Sequence, residues 1–160
     1  MPTPFADLAA RRGVAFPLRA ERLTLTPFAA DDATAVFAFC RLEEVWTWTS
    51  GRAGSADELR EQYLATGDRL TVRVDEAIIG VGKLAVQDAW SQGGPREEAR
   101  NAQAEIGWTI DPAHAGRGYA TELAGAFTLA IGLILMFLPN ELPRWVLAVL
   151  LGLGGAWLAL

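Results

Sequence analysis

No charged residue occurs from Leu123 to Asn140 and none from Trp145 to Leu160; Glu141 and Arg144 flank the short polar break between the two runs. All of the net charge, −5, therefore lies before residue 123. The stretch FTLAIGLILMFLPNELPRWVLAVLLGLGGAWLAL is apolar all round, whereas a helix resting on a globular sheet keeps a polar face. The chain thus divides into a polar, globular first part and an apolar end that cannot be left in water.

The 160 residues suit one ordinary domain with a sizeable core. The acidic balance excludes a phosphate-tracking surface, so no nucleic-acid partner is expected. Cys40 is the only cysteine and His114 the only histidine. No intramolecular disulfide, cysteine cluster or multi-histidine site can form, and no metal is expected. Cys40, within AVFAFCRL, reads as a buried structural thiol rather than a nucleophile. The start, MPTPFADLAARR, lacks the basic residues and long apolar run of a signal peptide, and a cytoplasmic setting is expected.

LTLTPF, residues 23–28, alternates with period two and predicts a strand ending at Pro27. Asp31 or Asp32 can cap a helix over DDATAVFAFCRL. Ser55, with Glu58 three residues on, has the capping-box spacing for a second helix, SADELREQYLA, and VWTWTSGRAG reads as the loop between the two. Leu70–Val74 and Ile78–Val86 predict a hairpin turning at Asp75 and Glu76. The polar loop SQGGPREEARNAQ leads to a strand at Ala104–Ile110, and Gly116–Ala120 turns into a helix starting around Tyr119.

Chemistry concentrates in AEIGWTIDPAHAGRGYATE. A strand, a glycine-containing turn and a helix start bind anions, because the first backbone N–H groups of a helix lack partners and carry the positive end of its dipole. Gly116 and Gly118 let the backbone approach a phosphate closely. In this context the segment resembles the acetyl-coenzyme A signature of the GNAT superfamily of N-acetyltransferases, and AEIGW and GYATE resemble its RimJ/RimL-like members. The likeness covers roughly residues 20–126. It implies an α/β (α+β) fold, a mixed and mostly antiparallel sheet with flanking helices, followed here by a C-terminal hydrophobic helical segment.

The resemblance implies acetyl-CoA as co-substrate and an amine acceptor as partner. Gly116, Arg117, Gly118, Tyr119 and Ala120 would hold the pyrophosphate through the main chain, and Trp108 and Ile110 would pair with pantetheine. Ala115 stands where the family usually has Gln or Arg, although the main-chain donors remain. A neutral amine attacking a thioester needs a base and an oxyanion donor. Glu105 is the candidate base, directly or through a water, with a solvated or ion-paired strand carboxylate as the other reading; a main-chain N–H near Trp108 is the candidate oxyanion donor. Trp46 and Trp48 fall where the family lines its acceptor pocket, with simple packing as the alternative. His114, in the loop just before the turn, is not assigned the proton transfer.

The resemblance assigns residues 1–126 to the acetyltransferase domain and leaves 127–160 as a hydrophobic tail. Three readings of the tail stand open. A membrane hairpin of Leu123–Leu138 and Trp145–Leu160 would tether the protein, although each arm spans only about 24 Å as a helix against about 30 Å of hydrocarbon. The family fold would instead use residues 119–138 as its helix and RWVLAVL as its next strand. In the third reading a frameshift, truncation or fusion has replaced the end of the domain. The alternative function that follows is a membrane-associated protein with an impaired acetyltransferase module.

Overall fold

The structure is a computed structural model that describes Ala10 and residues 14–49, 51–87 and 103–136. Five strands form one antiparallel sheet in chain order: β1 Leu18–Arg19, β2 Thr24–Pro27, β3 Arg69–Val74, β4 Ala77–Gln87 and β5 Gln103–Ile110. Between β2 and β3 lie helices α1 Ala33–Cys40, α2 Glu43–Trp46 and α3 Ala56–Thr66; α4 Tyr119–Met136 follows β5. This is the mixed α/β arrangement expected, with helices on both faces of the sheet. The polar loop expected before β5 and the second arm of the hairpin lie outside the described residues.

Two helix starts differ from their sequence readings. Asp32 stands at the start of α1 and accepts from the Ala29 N–H at 3.1 Å, in the turn that leads into the helix, but makes no bond to the N–H groups of α1 itself. Its carboxylate, buried at 5% exposure, also accepts from Thr71 Oγ1 at 2.6 Å and from the Arg73 guanidinium, tying α1 to β3. A buried carboxylate needs several partners, and here one is local and two lie across the fold. At α3, Ser55 Oγ accepts from the Glu58 N–H at 3.1 Å as expected, while the Glu58 carboxylate reaches back to the Gly54 N–H at 2.6 Å rather than to Ser55 itself. The segment read as a loop from Val45 begins within the single helical turn of α2, closed by the Thr47 N–H bond to the Glu43 carbonyl.

The bulge between Val72 and Arg73 in the β3–β4 register sorts the side chains of β4 between two cores. One core places Leu25, Leu70, Val72, Ile79 and Leu84 against Leu123, Phe127 and Ala130 of α4. The other places Val81 against Phe28, Val36, Phe39 and Leu59. Residues 123, 127 and 130 recur at helical spacing, so α4 has one sheet-facing stripe even though most of its residues are apolar. The first arm of the expected membrane hairpin is therefore packed on the sheet, and among the described residues no helix is long and apolar enough to cross a membrane. The boundary expected at Ala126 falls inside α4.

α4 lies close because β4 is bare beneath it. A Cβ added at Gly82 would stand 2.4 Å from Phe127 Cζ, so the ring occupies the place of the missing side chain. Gly82→Ala should destabilise the protein by about 1–3 kcal/mol through overpacking, outweighing the roughly 0.5–1 kcal/mol that replacing a glycine inside a strand otherwise gains. Denaturant unfolding measures this, with Phe127→Leu expected to restore part of the loss; an alanine variant as stable as the parent would contradict the packing account.

Candidate active site

β5 runs through Asp111 into a short 3-10 turn, Pro112–His114. Asp111 Oδ1 accepts from the Ala113 N–H at 3.0 Å and starts that turn. Beyond Ala115, Gly116 and Gly118 adopt φ 74 and 79, a left-handed conformation costly for residues with a Cβ. Gly116, Arg117 and Gly118 are exposed, and nothing stands within 4 Å of the place a Cβ would take at Gly116. The first backbone bond of α4 runs from the Glu122 N–H to the Gly118 carbonyl at 3.1 Å, leaving the N–H groups of Tyr119, Ala120 and Thr121 without a partner inside the helix. An open backbone, unpaired donors and the positive end of a helix dipole fit a pyrophosphate.

At the other end of this unit, β5 is the edge strand among the described residues. The Asp111 N–H points inward, to the Ile79 carbonyl at 2.8 Å. Backbone groups alternate along an antiparallel strand, so those of Thr109 and Gly107 also face β4, and those of Ile110 and Trp108 face the open edge. An extended amide chain such as pantetheine could pair there, on the same side of the sheet as the turn's strand.

Glu105 lies on the opposite face of β5 from the Ile110 side chain, which packs toward α4. Lys83 is paired with Gly107 and Ala85 with Glu105, which makes Lys83 and Glu105 diagonal neighbours; their charged ends meet at 2.7 Å. Both line a cavity of about 400 Å³ between α1, α3, the segment after α2 and strands β4 and β5, along with Trp48, Arg52, Tyr63 and Trp108. Trp48 is 86% exposed at the rim. Trp46 does not line this cavity; its ring carries the Arg52 guanidinium at 4.9 Å. The structure therefore brings Glu105 and Trp48 to one cavity, which Trp108 also borders although its side chain takes the Ile110 face of β5, and places Gly116–Ala120 at the far end of the strand.

His114 stays outside the cavity, its Nδ1 3.6 Å from the Asp111 carboxylate and without a hydrogen-bond partner among the described residues. Cys40 lines the cavity wall. Burial pushes its thiol up to about 11, a rise that a hydrogen bond from Tyr63 and the charge of Arg69 only partly offset. It is a neutral thiol at pH 7, and thiol reagents at pH 8 should find about one part in a thousand as thiolate and react correspondingly slowly; modification as fast as that of a free cysteine would contradict this placement.

Two residues at the turn carry no local sequence signal. Arg22, just before β2, stacks over the Tyr119 ring at 4.7 Å and donates from Nη1 to the Arg117 carbonyl at 3.0 Å. Glu122, in the first turn of α4, accepts from the Arg22 and Leu23 backbone N–H groups at 2.6 and 3.1 Å and from Arg22 Nε at 2.8 Å. The partners are 100 positions apart, beyond the reach of any periodicity. The one hint is that Glu122 is the only charged residue in α4.

Burial opposes ionisation of Glu122, yet its bonds from the Arg22 backbone, the Arg22 guanidinium and the Leu23 backbone outweigh that and hold the carboxyl below its ordinary range. A depressed carboxyl contributes stability above the unfolded value, about 4.3 for Glu, and loses it as pH falls through the lower folded value. Thermal melts from pH 7 to 3 should show this acid-sensitive component, and Glu122→Gln should flatten it; an unchanged pH profile in the variant would refute the clamp.

The comparisons with known proteins agree with this fold. Among proteins of curated function, none matches the sequence. A GNAT-family acetyltransferase from Bacillus anthracis shares the fold with TM-score 0.58 and 22% identity, covering 84% of this chain and 81% of that one. A candidate ribosomal-protein-serine acetyltransferase from Vibrio cholerae gives 0.56 and 20%, covering 84% and 80%. AAC(6')-Ib, solved with paromomycin and acetyl-CoA, gives 0.55 and 19%, covering 73% and 68%. The profile of the acetyltransferase (GNAT) domain matches residues 22–143, from Arg22 of the clamp to beyond α4, and the chain belongs to that family.

Proposed function

We propose that the protein is an N-acetyltransferase that uses acetyl-CoA to acetylate a primary amine, at a protein N-terminus or on a small molecule. The observation that carries this is the exposed Gly116–Gly118 turn at the start of α4, set at the end of a strand that is the sheet edge among the described residues, with the Trp108 and Ile110 backbone groups facing that edge. The RimJ/RimL-like reading, supported by AEIGW and GYATE and by the fold shared with the Vibrio cholerae protein, favours a protein N-terminus. The fold shared with AAC(6')-Ib supports a small-molecule amine. Among the described residues no helix is long and apolar enough to cross a membrane, so the membrane-associated alternative gains no support there.

Bound acetyl-CoA would supply the thioester; transfer forms the amide C–N bond, breaks C–S and releases the thiol. Main-chain donors at Gly116, Arg117, Gly118, Tyr119 and Ala120 hold the pyrophosphate, and Trp108 and Ile110 orient the pantetheine arm. The acceptor enters the cavity past Trp48. Trp46 acts on it only through Arg52, which its ring supports. Glu105, on the cavity wall beside Lys83, takes the proton from the attacking amine, directly or through a water. The outward N–H of Trp108 stabilises the oxyanion as it develops, a kind of contact that contributes most where water is excluded.

Calorimetry should detect acetyl-CoA binding to the folded chain, and its absence would overturn the proposal. Against a panel of peptide N-termini and small primary amines, Glu105→Gln should leave acetyl-CoA affinity unchanged and lower transfer by about 10²–10⁴-fold. Equal turnover in the variant would return Glu105 to a structural ion pair with Lys83.

A further inference from the structure

Arg22 and Glu122 touch neither the cavity nor the open edge of β5, yet their contacts end on the glycine turn. We propose that they are a positioning pair that aims the Gly118 N–H at the phosphates of the donor. The inference rests on the acetyl-CoA reading.

The turn alone is poorly specified. Two glycines free to adopt several conformations flank an exposed Arg117, and nothing packs on Gly116. Arg22 removes that freedom at one peptide bond, because Nη1 holds the Arg117 carbonyl at 3.0 Å on the β2 side. In a trans peptide the carbonyl oxygen of one residue and the N–H of the next point in opposite directions. Fixing the Arg117 oxygen toward Arg22 therefore directs the Gly118 N–H away from it, toward the exposed face of the turn. A Cβ at Gly118 would lie 3.5 Å from Arg22 Nη2, an ordinary contact, so it is the φ of 79 rather than the guanidinium that calls for glycine there.

Arg22 is itself held on three sides. Glu122 binds its Nε at 2.8 Å and its backbone N–H at 2.6 Å, and the Tyr119 ring carries the guanidinium at 4.7 Å. The same carboxylate takes the Leu23 N–H at 3.1 Å, and Leu23 is in the core. The orientation of one peptide in the turn is thus referred to the backbone at the start of β2 and through it to the sheet that carries β5. The pair is close to neutral, so its contribution is directional rather than a long-range attraction for the phosphates. A lysine at position 22 would keep the charge but cannot present a planar fork to Glu122 and to the Arg117 carbonyl while stacking on Tyr119.

The test uses the full chain and two probes: acetyl-CoA, and S-acetylpantetheine, which shares the thioester arm but lacks the pyrophosphate. Arg22→Lys should raise the Kd for acetyl-CoA about tenfold, the size expected for loss of one well-aimed hydrogen bond to a charged group. The amide NMR shifts that S-acetylpantetheine induces at Trp108 and Ile110 should be unchanged. Glu122→Gln, which keeps an oxygen acceptor for the backbone N–H groups but loosens Arg22, should show the same donor-selective loss and serves if Arg22→Lys does not fold. Unaltered acetyl-CoA affinity in the folded variants, or equal loss with both probes, would overturn the positioning role. A parent protein that binds S-acetylpantetheine at β5 but not acetyl-CoA would overturn it too, whereas one that binds neither defeats the acetyl-CoA reading itself.

Discussion

The seat of Phe127 on Gly82 sets the distance between α4 and the sheet, and the rest of the site follows from that distance. A side chain at Gly82 would occupy the position of the ring, so the helix can approach β4 only where the strand is bare. Phe127 and Leu123 are fully buried there, one turn apart on the same stripe. With the body of α4 fixed against β4, its first turn comes to the end of β5, where the Gly116–Gly118 backbone is exposed. Burial of a few apolar side chains thus determines where unpaired backbone donors are presented.

The sheet keeps two kinds of work on its two faces. Against α4 it is apolar, with Leu70, Val72, Ile79 and Leu84 forming a continuous core. Toward α1 and α3 it carries Lys83 and Glu105 beside Val81, and the helices stand back to leave the cavity. Charged side chains tolerate that face because they pair with one another at 2.7 Å and remain partly solvated. The open edge of β5 joins the two regions: its backbone donors are unpaired among the described residues, Glu105 projects to one face and Ile110 to the other. The buried Asp32 attachment to Thr71 and Arg73 fixes α1, and with it one wall of the cavity, to the middle of the sheet.

Local patterns in the sequence located most elements, since each rests on near neighbours. Period two in LTLTPF, the Ser55 and Glu58 spacing, the hairpin turn at Asp75 and the glycines before Tyr119 all recur as a strand, a helix start, a turn and an anion-ready helix end. Patterns failed where a polar side chain could choose among partners. Asp32 keeps a local bond from the Ala29 N–H before the helix, yet its sequence setting gave no sign of Thr71 and Arg73, which hold the same buried carboxylate from β3. Trp46 and Trp48 look equivalent in the sequence, but α2 ends between them, so one ring supports Arg52 and the other stands at the cavity rim. The charge-free run after Glu122 was ambiguous for the opposite reason: a helix apolar on every side has no periodicity to show which residues face a sheet and which face lipid.

The sequence by itself pointed to the family and to the glycine turn, because a strand, two glycines and a helix start lie within one short segment whose backbone chemistry is local. It also limited the chemistry: with one cysteine and one histidine, no disulfide and no cluster of thiolates or imidazoles can form within the chain. Only the tertiary structure decided what holds the turn in place and which residues line the cavity. Arg22 reaches Arg117 and Glu122 across about a hundred residues of chain, and Lys83 meets Glu105 only through the β4–β5 register. Such pairings depend on how the sheet brings distant segments together, and no spacing along the chain records that.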